Sequence, residues 1–165
     1  MHNIDQMAIL TLPPDRFKQK RSKLVEVYSR AYRGLEEYAY RRPSDIKGYL
    51  NWLYRTDPEG FLVAEEEGQV LGFVASCRNW WDRDLGPLGE IHELVVVPER
   101  QGEGIGSTLL EWALEFRGRE HDVFGLWVGE GNERAKAFYM GHGFKPVGKM
   151  GKWIRMILKK GQGRS

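Results

Sequence analysis

The chain has 165 residues, 41% hydrophobic and 29% charged, the balance of one ordinary globular domain with a core of its own. Its formal net charge of +2 is too small to argue for a nucleic-acid partner, no stretch approaches the roughly 20 apolar residues of a membrane helix, and no signal-peptide core opens the chain. Cys77 is the only cysteine, which excludes an internal disulfide and a cysteine-based metal cluster, so a single cytoplasmic domain over residues 1–165 is expected.

Taken in order, residues 7–12 read as a first strand closed by Pro13 and Pro14. Asp15 is the expected N-cap of a helix that turns Phe17, Leu24, Tyr28, Ala31 and Leu35 inward. A second helix is expected after Pro43, capped by Ser44, with Ile46, Tyr49, Leu50 and Leu53 as its inner stripe and residues 57–60 as the turn that ends it. Residues 61–65 and 70–77 form a hairpin about Glu67-Gly68, followed by a polar, aromatic loop holding Trp80, Trp81, Gly86 and Pro87. The β-branched run at 90–97 reads as a buried strand stopped by Pro98.

After it come Gly102, Gly104 and Gly106, and then a helix with Ile105, Leu109, Trp112, Ala113 and Phe116 inward. Residues 123–128 form another buried strand, Asn132 precedes a short helix with Ala135, Phe138 and Tyr139 inward, and Gly143 ends it. Strands at 144–147 and 153–158 complete a mixed α/β order around one sheet. The basic tail 159–165, with Lys159, Lys160 and Arg164, reads as a solvated terminus.

The stretch from 90 to 107 carries the chemistry. A strand, a glycine loop and a helix start offer backbone N–H groups and the positive end of a helix dipole to an anion, most often a phosphate. A dinucleotide fingerprint fails in both registers, because Ser107 or Leu109 stands where the third glycine belongs. No Gly-Lys-Ser/Thr tripeptide occurs, so a Walker loop fails as well. His92-Glu93 opens a zinc-protease pattern, but Val96 occupies the position of its second histidine, and no metal site is expected.

What fits is Gln101-x-x-Gly104-x-Gly106 after Val95-Val96-Val97-Pro98, joined downstream by Asn132-x-x-Ala135-x-x-Phe138-Tyr139-x-x-x-Gly143-Phe144. Together they resemble the two signatures of the GNAT superfamily of acetyl-CoA-dependent N-acetyltransferases. The resemblance is strong over 90–158; the first 60 residues match in element order alone. It implies a mixed sheet of about seven strands with about four helices, splayed between strands 4 and 5, and acetyl transfer from acetyl-CoA to a primary amine in a ternary complex.

It also implies roles. Main-chain groups at Val95, Val96 and Val97 would bond pantetheine, and N–H groups of Gln101, Gly102, Glu103, Gly104, Ile105, Gly106 and Ser107 would hold the pyrophosphate. Asn132 would contact the pantetheine arm as well as cap its helix, Tyr139 would protonate the departing thiolate, and the Val95 N–H would meet the oxyanion. For the base that takes the amine proton the order is Glu90, then Glu93, then His92, with water as the remaining choice. Strand alternation puts Glu90 and His92 on one face and Glu93 on the other. Cys77 reads as a small core residue rather than a nucleophile, and Trp80 and Trp81 are open to an acceptor-lining or a packing role. The acceptor stays open between a small amine, a protein N-terminus and a lysine, as does a non-catalytic acyl-CoA sensor; a homodimer is compatible with the sequence.

Overall fold

A computed structural model describes residues 6–115 and 120–161. The expected inward position of Phe116 and the tail residue Arg164 lie outside them. The elements run β1 (Ala8–Leu10), α1 (Pro14–Ala31), α2 (Pro43–Thr56), β2 (Phe61–Glu66), β3 (Gln69–Asp82), β4 (Gly86–Val96), α3 (Ile105–Glu115), β5 (Val123–Gly129), α4 (Glu133–Gly141), β6 (Lys145–Met150) and β7 (Trp153–Lys159). The strands form a seven-stranded sheet in the order β1-β2-β3-β4-β5-β7-β6. Strands β1, β2 and β3 pair antiparallel, as do β5 and β7 and β6 and β7, whereas β4 and β5 are parallel. The β4–β5 ladder takes in Gly89↔Phe124, Glu90↔Gly125 and Ile91↔Leu126, while β4 continues to Val96. A short ladder at the start of a long parallel strand is what a splay between strands 4 and 5 requires.

The chain divides into two compact units, residues 1–76 with 93–116 and residues 77–92 with 117–165. In the first, α1 and α2 bury Leu24, Tyr28, Ile46 and Leu50 in one cluster with Phe61 and Phe73 of the sheet and Val95 and Val97 at the end of β4. Each such side chain, fully withdrawn from water, contributes about 1.5–3 kcal/mol. In the second, Phe124, Leu126 and Met156 are buried on β5 and β7, and Tyr139 of α4 sets its ring 5.7 Å from that of Phe144.

Both early helices begin one step before the expected caps. Pro13 is the N-cap of α1 and Arg42 that of α2, so Asp15 and Ser44 sit inside the first turn. The reason is proline: it has no N–H to satisfy and its φ is already helical, which suits the first helical position. Helix α1 ends at Ala31, leaving Leu35 beyond it, and residues 58–60 form a 3₁₀ turn.

The expected loop around Trp80 and Trp81 is strand. β3 runs on to Asp82, whose carboxylate accepts the N–H groups of Asp84 at 2.8 Å and Leu85 at 2.9 Å and closes a tight turn into β4. Trp112 is exposed, because the buried arc of α3 runs through Ile105, Leu109, Leu110, Ala113 and Leu114 and leaves Trp112 at its margin.

Candidate active site

In the first unit, the end of β4 and the residues after it form one continuous structure. Residues 98–100 make a 3₁₀ turn, and Gln101 donates its side-chain amide to the Val96 carbonyl at 3.1 Å, tying the loop to the strand. Arg100 is buried and grips both oxygens of Glu66 at 3.2 Å while its Nε holds Glu103 at 2.8 Å. The side chains of Gln101 and Glu103 thus brace the loop. Gly102 and Gly104 have φ of +85° and +88°, values an L side chain rarely adopts.

Helix α3 starts at Ile105, so residues 105–107 form a first turn whose N–H groups point out of the helix end beside those of the glycine loop. Upstream, the Val97 N–H donates to Leu71 at 2.8 Å and its carbonyl accepts from Arg100 at 3.0 Å, so the main chain of Val97 is already engaged.

Glu93 lies on the same strand, buried, with Val95 and Val97 following on its face. Tyr32, at the end of α1, donates its phenol to one carboxylate oxygen, and Tyr49 of α2 donates to the other at 2.9 Å. Burial pushes the Glu93 carboxyl up to about 7, against the pull of these two phenols and the Leu94 N–H toward the charged form.

The second unit holds Glu90, His92, Asn132 and Tyr139. Glu90 is buried in a two-pronged pair with Arg155 of β7, at 2.7 and 2.9 Å, and Arg155 also reaches Asp82 at 2.8 Å. Burial pushes the Glu90 carboxyl up, and the guanidinium pulls it back toward the ionised form. The guanidinium stands 5.1 Å over the Trp127 ring. It also fills the space above Gly125, where a Cβ would meet Arg155 Cζ at 2.7 Å.

His92 packs edge-on against Trp80 at 4.5 Å, and burial with the nearby Arg155 charge lowers its imidazole to about 4. Asn132 accepts the Ala135 N–H at 3.3 Å and caps α4, whose Tyr139 is buried. Cys77 is buried within β3, Trp81 is exposed, and among the described residues no cluster of three or more His, Cys, Asp or Glu is arranged to hold a metal.

No motif in the sequence marks Tyr32, Tyr49, Asp82 or Arg155. Their partners lie 44 to 73 residues away in sequence, and no periodic or spacing signal reports such a pairing.

A mixed seven-stranded sheet with its glycine loop between β4 and α3 is the α/β architecture that the resemblance to acetyltransferases implies. The model of the acetyltransferase (GNAT) family matches residues 22–144, and the chain belongs to that family. It is 50% identical over 117 residues to an uncharacterized N-acetyltransferase of Archaeoglobus fulgidus, covering 70% of this chain and 80% of that one. A crystal structure of a Pyrococcus horikoshii protein superimposes with a TM-score of 0.85 at 37% identity, over 93% of this chain and 98% of the other. A Thermoplasma acidophilum PaiA N-acetyltransferase crystallised with coenzyme A shares the fold, with a TM-score of 0.71 at 22% identity over 93% and 98% of the two chains. Among the described residues no helix is long and apolar enough to cross a membrane.

Proposed function

We propose that residues 1–165 act as one N-acetyltransferase domain, working in the cytoplasm, that moves acetyl from acetyl-CoA to a primary amine by direct attack, with Glu93 as the base. The observation that carries the reading is geometric: on β4, the strand that leads into the glycine loop of this family's chain, Glu93 is buried with only neutral phenols on its carboxylate, and burial raises that carboxyl to about 7. A base poised near working pH takes a proton at neutral pH and gives it back. Glu90 is the weaker candidate, because its partner is a guanidinium whose charge favours the ionised carboxylate and opposes its taking up a proton, whereas the partners of Glu93 are neutral phenols, and His92 is too weak a base at about 4.

In this reading the N–H groups from Gln101 to Ser107 hold the pyrophosphate of CoA. Val95 and Val96 offer main-chain groups to pantetheine; the prior hydrogen bonds of Val97 leave it the smaller part. Asn132 adds a contact to the pantetheine arm. The neutral amine attacks the thioester carbonyl, the Val95 N–H stabilises the oxyanion, the C–S bond breaks as Tyr139 protonates the thiolate, and the extra proton on the former amine nitrogen passes through water to the Tyr139 phenolate, which leaves the amide and a restored phenol. The acceptor is a small amine, or in a second form of the same chemistry a protein N-terminus or a lysine.

The test is thiol release from acetyl-CoA across a panel of primary amines and peptides, followed by pH–rate profiles. Glu93→Gln is expected to lower kcat about 10²-fold and to lose the acidic limb near pH 7. Glu90→Gln is expected to keep that limb. A limb that survives in Glu93→Gln removes Glu93 from the role, and acetyl-CoA binding without thiol release for any amine turns the reading to a non-catalytic acyl-CoA sensor.

A further inference from the structure

We infer that Tyr32 and Tyr49 are the groups that meet the acceptor's ammonium and pass its proton to Glu93, which does not itself touch the acceptor. This rests on the reading of Glu93 as the base. Each carboxylate oxygen already accepts a phenol, Oε2 from Tyr32 and Oε1 from Tyr49. Glu93 is buried, Tyr32 and Tyr49 keep part of their surface exposed, and their phenols occupy both carboxylate oxygens, so in the proposal the acceptor meets a phenol before it meets Glu93.

Packing sets the positions of these phenols. The Tyr32 ring lies 4.8 Å from that of Tyr28, and the Tyr49 ring lies 5.0 Å from Tyr40 and 6.4 Å from Trp52. The titratable groups that face Glu93 are Tyr28 and Tyr32 from α1 and Tyr49 from α2. Burial and the Glu93 charge push both donor phenols far above their ordinary range, so neither holds a negative charge during the transfer.

The transfer is therefore concerted. An ammonium N–H bond breaks as a phenol O–H bond forms on the same oxygen whose own proton moves to Glu93. The products are a neutral amine, a neutral phenol and a neutral carboxylic acid, and Glu93 returns the proton to water after the amide leaves.

The experiment compares two acceptors of one shape: the primary alkylamine turned over fastest, which is an ammonium at pH 7, and its β-trifluoro analogue, which is neutral there. Tyr32→Phe, Tyr49→Phe and the double variant keep the rings and remove the relay. The double variant is expected to lose about 10²-fold more in kcat on the alkylamine than on the fluorinated amine, and the turnover of the fluorinated amine that remains shows that it folds. Equal losses on both amines, or no loss on either, overturns the relay. Glu93→Gln separates the two readings. If it loses the alkylamine selectively while the tyrosine variants do not, the relay alone fails. If it keeps full alkylamine activity, or the wild type turns over no amine, the base and the relay fail together.

Discussion

Two neighbouring residues of β4 titrate in opposite directions. Burial raises Glu93 from 4.5 to about 7, so between those values the native chain holds a proton the unfolded chain has released, and stability falls as pH rises through that window. His92 is lowered from 6.5 to about 4, so the unfolded chain takes a proton the native chain refuses, and stability falls as pH drops through that window. Between 4.5 and 6.5 the two slopes oppose each other. Glu93→Gln removes one of them: in urea unfolding it is expected to gain on the wild type by on the order of 3 kcal/mol from pH 4 to pH 8. Parallel curves for the two proteins would mean that Glu93 titrates normally.

Gly125 makes a second residue-scale case, because a methyl group there collides with the Arg155 guanidinium. Gly125→Ala is expected to cost about 1–3 kcal/mol in urea unfolding at pH 7, the cost of overpacking a site where the guanidinium must shift against its two carboxylates. Glu90 stood first among the candidate bases in the sequence, but the arginine that occupies it is 65 residues away and gave no signal. A pair formed across a sheet is set by register, which local spacing does not encode.

At the scale of elements, the glycine loop was legible because its demands are local. Its backbone turns through positive φ at Gly102 and Gly104, and only glycine does that without strain. Gly104→Ala is expected to cost about 1 kcal/mol of stability and to raise the KM for acetyl-CoA about tenfold, with a far smaller effect on the KM of the amine. Equal increases in both KM values would mean that the loop does not hold the donor. The N-cap Asn132 and the strand 123–128 were legible for the same reason. The starts of α1 and α2 were displaced by proline chemistry, and β3 extended through Trp80 and Trp81 because the Asp82 side chain supplies its turn.

For the molecule as a whole, the family match runs through residues of both compact units. A ligand that binds only the native chain stabilises it by mass action. CoA at 100 times its dissociation constant is expected to add about 2.7 kcal/mol to the unfolding free energy and to raise the thermal midpoint in a concentration-dependent way. A midpoint that ignores CoA would count against donor binding at the glycine loop.

The order of strands and helices, the glycine loop and the family were determined by the sequence alone, since periodicity, glycine placement and motif spacing act over a few residues. The sequence put Glu90 ahead of Glu93 as the base and on the opposite face of the strand, but it held no sign of what each carboxylate would face across the fold. Tertiary structure separated them. It set Glu90 against an arginine from β7 and Glu93 beneath the phenols of Tyr32 and Tyr49, and burial with or without a countercharge sets how each carboxyl is shifted.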